Sequence, residues 1–434
     1  MATTSLVPLA GINNVAEDAA LQRGGESPRL YVRDAVNIDL SPAGKAQLRA
    51  SSRQVTDQPF RQLWQSPLHG DAFGALGDQW GKVDPHSWTF EPLAQIGEGD
   101  LSHEVLNNRV CVAGTAGIFT YDGAKAERLT LDTPAPPLLV AGAGSLSQGT
   151  YGAAVAWLRG PQESAPSLIA FADVTDAGAL EVTFPLCLDA SVTGARLYLT
   201  RANGGELLLA GDYPLGAATL ILPTLPELGR PAQFRHLSPM PTGKYLAYWR
   251  GRLLTARANV LRFSEALTYH LHDERYGFVQ MPQRITFLQP VDGGIWVGQV
   301  DHVAFLDGID PASLSVSRRA SRAPVPGSAI LVPAEAVGTN ASPDGSPVAV
   351  WLAENGYVMG TSSGAIAEVH AGVLTGITGR AGTSVVFDRR LLTADSVEKV
   401  ALAAASRSDV PAVEVAASHF KLPSGVSLSV LAQV

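Results

Sequence analysis

The chain has 434 residues, enough for roughly two or three domains. Charged residues make up only 17%, against 43 Gly and 29 Pro, which favours a turn-rich β protein over a disordered chain. A formal net charge of −8 argues against nucleic acid as the main partner. Met1–Ala10 lacks a secretory signal and no run nears the ~18 apolar residues of a membrane helix, so a soluble chain without membrane insertion is expected.

Residues 1–50 read as an arm. Gly11-Ile12-Asn13-Asn14 and Gly24-Gly25-Glu26-Ser27-Pro28 are turn signals, and Asn14–Gln22 predicts a short helix with Asn14 as its N-cap and Glu17 three residues on. Leu30–Leu40 alternates as a strand does. Such an arm either folds back on its own domain or packs on a neighbouring subunit.

A repeat begins at about residue 60. The five residues Arg252-Leu253-Leu254-Thr255-Ala256 recur as Arg390-Leu391-Leu392-Thr393-Ala394. Val260–Phe263 returns after the first copy across a polar break, predicting a β-hairpin. Looser copies align on Phe73, Val110, Ile295 and Tyr357. Most carry Gly or Ala at the fourth position, read as room for strands to crowd a common axis. The short steps are 37 residues (73 to 110), 42 (253 to 295) and 34 (357 to 391), near the ~40–50 residues of a four-stranded propeller blade. The 62-residue step from 295 to 357 holds the Pro/Ser/Gly-rich excursion 310–347, and the 143-residue step from 110 to 253 requires an inserted domain.

That insertion opens at Thr133-Pro134-Ala135-Pro136-Pro137. It carries Gly149–Trp157, with Tyr151, Ala153, Val155 and Trp157 on one face, then strands at Leu180–Phe184, Ala195–Arg201, Glu206–Ala210 and Ala218–Leu222. Short strands with regular turns suggest a sandwich of ~100 residues, and removing it restores the repeat period. Gln162-Glu163-Ser164-Ala165-Pro166-Ser167, followed by Ala195-Arg196-Leu197-Tyr198-Leu199-Thr200-Arg201, resembles a fibronectin type III-like module. The expected fold is therefore all-β: a propeller of five to seven blades carrying this module. Its predicted parts are an arm (1–50), a first propeller part (51–132), the insert (133–238) and a second propeller part (239–434). Strands at Ala412–Ala417 and Val426–Leu431 offer a C-terminal segment that completes a blade begun by the N-terminus, or docks separately.

The arm, with Asn13-Asn14, Arg33–Leu40, Gly44 and Arg49, resembles the N-terminal segment of tail-associated virion proteins of tailed bacteriophages. The resemblance implies a structural part of a phage tail, baseplate or neck, assembled in the host cytoplasm. Its implied partners are other tail proteins, in multiple copies, with a bacterial surface receptor as a further candidate.

Candidate chemistry is sparse, and neither enzyme activity nor a cofactor or metal is expected. His270 and His272 alternate on one strand face, a spacing compatible with metal ligation, without an identifiable third partner. Asp292, Asp301, Asp307 and Asp310 offer carboxylates for a glycosidase pair, although acidic hairpin turns are the commoner reading. Trp64, Trp80 and Trp88 are candidate sugar-stacking residues of a receptor- or glycan-binding protein. Arg318, Arg319 and Arg322 form the one basic cluster and are candidates for docking an acidic partner. Trp157, Trp249, Trp296 and Trp351 read as core, and Cys111 and Cys187 as buried thiols.

Overall fold

The computed structural model describes residues 8–23, 29–35, 38–41, 43–48, 54–68, 70–216, 219–233, 236–334, 345–387, 390–396 and 426–430. These are organised almost wholly as strands and turns, with single-turn 3-10 helices at Asp18–Ala20 and Pro311–Ser313. Among them no helix is long and apolar enough to cross a membrane. The chain is all-β.

Antiparallel meanders recur along the chain. Sheet I is Arg61–Gln65, Ala72–Leu76, Gln79–Val83 and Phe90–Gln95. Sheet II is Ser102–Leu106, Arg109–Gly114, Gly117–Tyr121 and Ala126–Arg128. Sheet III is Tyr245–Trp249, Arg252–Arg257, Val260–Phe263 and Phe278–Gln280. Sheet IV is Ile285–Val291, Gly294–Gln299, Val303–Asp307 and Ser315–Arg319. Sheet V is Ile330–Val332, Val348–Ala353, Gly356–Gly360 and Ile366–Glu368. Sheet VI is Ala381–Phe387, Arg390–Ser396 and Val426–Val430.

Successive sheets are packed face to face, which explains their apolar middle strands. In sheet III, Leu253 enters the seam with sheet II beside Leu106, Cys111 and Ile118. Its neighbour Leu254 points the other way, into the seam with sheet IV beside Ile285, Ile295 and Val297. Sheet II does the same: Val110 and Val112 meet Phe73 and Trp80 of sheet I, while Cys111 and Ala113 face sheet III. In sheet IV, Trp296 turns toward Ala349 and Trp351 of sheet V. Leu391 of sheet VI closes the last of these seams against Val348, Val350 and Tyr357. A strand buried on both faces has no reason to alternate apolar with polar. Side chains also bridge first strands, with the Leu246 N–H donating to Ser102 Oγ (2.9 Å) and the Tyr248 N–H to Glu104 Oε2 (3.2 Å).

Several expectations need correcting. Phe73, Val110, Leu253, Ile295 and Leu391 all lie on second strands, but Tyr357 is on the third strand of sheet V, where Val348–Ala353 takes the second place. Two of the small residues sit against aromatic rings. A Cβ on Gly298 would strike the Phe287 ring, and one on Gly360 the Trp296 indole. The helix predicted over 14–22 is reduced to Asp18–Ala20, because Glu17 is extended (ψ 157°) and the Asn13 side chain accepts from the Val15 and Ala16 N–H groups. The strand read over 30–40 is broken into Arg29–Val32 and Ile38–Leu40. Val426–Val430 pairs with Arg390–Ser396, and the strand expected at Ala412–Ala417 lies outside the described residues.

Between sheets II and III the chain builds a two-sheet sandwich. One sheet holds Leu138–Leu146, Gly178–Thr183 and Thr219–Leu222, in that order. The other is centred on Gly149–Arg159, which pairs with Ala170–Val174, Gln162–Glu163 and Gly194–Leu199, the last pairing in turn with Leu208–Pro214. Tyr151, Ala153, Val155 and Trp157 meet Leu180, Val182 and Leu222 in the core between them.

Candidate functional site

The sandwich combines a firm attachment on one side with an unusual outer surface on the other. Its attachment begins at Arg159, whose guanidinium donates to the Leu129 carbonyl at 3.0 Å, where sheet II gives way to the linker. The Glu163 carbonyl accepts from His270 Nε2 at 2.9 Å, tying the sandwich to the segment beyond the third strand of sheet III. Burial lowers the His270 pKa, so the ring is held neutral, and the carbonyl fixes Nε2 as the protonated nitrogen.

The Glu163 side chain, 5% exposed, would be costly without partners. Arg196 supplies one at 2.5 Å and extends to Asp212 at 2.6 and 2.8 Å, while Tyr198 donates its hydroxyl to Glu163. The hydrogen bonds from Arg196 hold the Asp212 carboxyl below its ordinary range; burial, then the bond to Glu163, raises the Tyr198 phenol. Both carboxylates share the single Arg196 guanidinium and Glu163 also accepts from Tyr198, so each of these groups is engaged within the sandwich.

The outer surface belongs to the three-stranded sheet. Alternation sends Leu139, Leu180, Val182 and Leu222 into the core, and their neighbours outward. The register sets Val140, Glu181 and Ile221 in one row and Leu138, Thr183 and Thr219 in the next. An outward row on a half-wet sheet is normally polar. Here Leu138 is 63%, Val140 46% and Ile221 61% exposed, and the flanking segment adds Leu186 and Leu188 at 84% and 89%. Both outer strands, Leu138–Leu146 and Thr219–Leu222, keep an edge free of strand partners among the described residues. Apolar side chains beside open edges suit contact with another protein.

The residues singled out from the sequence are dispersed by the fold. Trp80 is wholly buried, stacked on Phe73 at 5.4 Å, and its indole N–H donates to His103 Nε2 at 3.0 Å. Trp64 lies parallel to the His103 ring at 5.1 Å, while Trp88 sits at Phe60, 6.3 Å between centroids. Trp80 therefore belongs to the core and cannot stack on a sugar, and no common platform of the three emerges. Arg319 lies over the Phe305 ring at 5.7 Å and Arg322 approaches Glu354 at 3.9 Å; Arg318 and Arg322 are exposed and Arg319 is half-buried. His272 is buried, its Nδ1 3.1 Å from the Phe263 carbonyl. Asp301 is taken by His302 (2.6 Å), and Asp310 caps the 3-10 turn by accepting from the Ala312 N–H (3.0 Å). Asp307 is exposed at the end of its strand, and the Asp292 carbonyl accepts from Arg250. No group of three or more His, Cys, Asp or Glu side chains among the described residues is placed to hold a metal. Cys111 is buried and Cys187 half-buried, both as free thiols.

Two features escaped the sequence reading. Leu138–Leu146 was not recognised as a strand, though the unbroken Leu138-Leu139-Val140 run was its signal, apolar toward both faces. Tyr276 is 74% exposed, with the Arg275 guanidinium 5.2 Å from its ring and held in turn by Asp273 at 3.1 Å.

No family model matches the chain, and no curated protein matches it. Solved structures similar to it include BBS1N in complex with ARL6DN (10% identity, 76% of this chain and 88% of that one, TM-score 0.29). Another is the extracellular domain of BT4673 from B. thetaiotaomicron (10%, 79% and 38%, TM-score 0.30), and a third is Hsv2 of Kluyveromyces lactis (7%, 79% and 95%, TM-score 0.28). Similarity at that level assigns neither a family nor a function.

Proposed function

We propose that the chain is a non-enzymatic structural protein whose six sheets close into a β-propeller and whose inserted fibronectin type III-like sandwich docks onto a neighbouring protein. The observation that carries this reading is the outward face bearing Leu138, Val140 and Ile221, on a sheet whose two edges have no strand partner among the described residues. On the other side of the sandwich, Arg159 and Glu163 hold it to the sheets. An anchored module with an apolar outer face is suited to passing force and register between subunits. Together with the resemblance of the arm, this favours a part of a bacteriophage tail, baseplate or neck with other tail proteins as partners.

Incorporation is the test. Tagged chain supplied during infection should sediment with assembled particles, and a Val140→Lys/Ile221→Lys chain should stay in the soluble fraction while keeping its far-ultraviolet β spectrum. Wild-type chain missing from the particles would sink the virion reading, and a variant incorporated as well as wild type would sink the role of the face.

A second reading, attachment to a host receptor or glycan, is favoured by Tyr276 with Arg275 beside it. An exposed ring is what a sugar face stacks on. Binding on a glycan array that falls at least about tenfold on Tyr276→Ala, a loss of about 1.4 kcal/mol, supports it; undiminished binding removes this residue from the account.

A further inference from the structure

The described residues between 8 and 48 form a module with its own hydrogen bonding. Arg29–Val32 is the centre of a three-stranded sheet, parallel to Leu9–Ile12 and antiparallel to Gln22–Arg23. A hairpin of Ile38–Leu40 and Ala46–Leu48 joins it through the Leu9 N–H, which donates to the Gly44 carbonyl at 2.9 Å. Arg33 clamps Asp18 through two nitrogens at 2.9 and 2.6 Å.

The module touches the sheets through a polar clasp at Asn14. Its side-chain Nδ2 donates to the Thr375 carbonyl at 2.8 Å, and its Oδ1 accepts from the Thr375 N–H at 2.9 Å. Its own N–H donates to the Val373 carbonyl at 3.0 Å. A carboxamide used in this way imitates a peptide group, so the clasp reads as one rung of a β ladder. Asn14 and Thr375 are 361 positions apart. The arm leads into sheet I, whereas residues 370–377 connect sheet V to sheet VI. That connection is itself fastened down, with the Ile377 N–H donating to the Glu354 carbonyl at 3.0 Å and Ile377 packed on the seam of sheets V and VI.

A ring of sheets needs a device that joins its last member to its first. Sheet VI takes its third strand from the C-terminal end, Val426–Val430, and among the described residues sheets I and VI share no strand. We infer that the arm is the strap that holds the ring shut, with Asn14 as its fastening on the connection between sheets V and VI. This rests on the propeller reading above. A strap of this kind replaces a shared strand with a few hydrogen bonds. It leaves sheets I and VI free to part when the fastening opens.

The test is hydrogen exchange on the full chain, comparing wild type with Asn14→Ala and Asn14→Asp. Asn14 makes its contacts at the surface and belongs to none of the buried clusters, so both variants keep the cores intact. Asp preserves the shape but sets a carboxylate oxygen against the Thr375 carbonyl. Exchange should rise on the order of tenfold in both 9–32 and 381–387, with 149–159 in the sandwich unchanged. A rise confined to 9–48 would make the arm a mere appendage and overturn the strap, as would no change anywhere. Class averages of the wild-type protein by electron microscopy separate the two failures. A closed ring with exchange confined to the arm rejects the strap alone, whereas an open arc rejects the propeller and the strap with it.

Discussion

Leu253 and Leu254 show what a residue reports when both faces of a strand are covered. In a sheet with one wet face, adjacent positions differ sharply in what their truncation costs. Here both are fully buried, in different seams. Leu253→Ala and Leu254→Ala should each cost about 2–5 kcal/mol, read as a shifted denaturant midpoint at unchanged slope. A large cost for one and almost none for the other would contradict the stacked arrangement. The same double burial explains why the Trp80 indole was misread as a sugar platform: its exposure depended on sheet II, whose His103 accepts its N–H.

At the scale of the element, the sandwich depends on one guanidinium shared by two carboxylates. Removing Arg196 strands the Glu163 carboxylate in a buried place, whereas removing the charge of Asp212, which is half in water, does little. Arg196→Met is expected to cost about 3–5 kcal/mol and Asp212→Asn under about 1 kcal/mol. Thermal melts followed at Trp157, on the sandwich's own core, check the contrast. Equal losses would mean that Asp212 carries more of the anchor than its exposure allows. The Arg196–Tyr198 strand was legible in the sequence, but its pairing with Glu163 and Asp212 was not. Alternation states which residues share a face and is silent about what lies across from it.

For the whole molecule, burial of histidines sets an acid limit. Desolvation lowers His103 to about 3, and burial also lowers His270, His272 and His370. The unfolded chain binds these protons near pH 6.5 and the folded chain does not, so stability is complete above that pH and declines as pH falls toward the folded values. Denaturant midpoints should therefore be lower at pH 5 than at pH 7. His103→Gln keeps an acceptor for Trp80 without titrating and should lessen the drop. An equal midpoint at both pH values would show that these rings are protonated in the fold after all.

The sequence by itself determined the local structure. Apolar runs broken by Gly, Asn and Asp turns specify strands and hairpins, because strand pairing across a short turn depends on neighbours in the chain. The all-β class, the hairpin echo at 252 and 390, and the burial of Trp157, Trp249, Trp296 and Trp351 were legible for that reason. Only the tertiary structure decided which face of each strand meets which sheet and that Gly298 and Gly360 yield to Phe287 and Trp296. It also decided that Asn14, with the pattern of a helix cap, spends its amide on Thr375 instead. Those outcomes depend on groups far apart in the chain, and an amide or an indole satisfies its hydrogen bonds with whatever partner packing brings near.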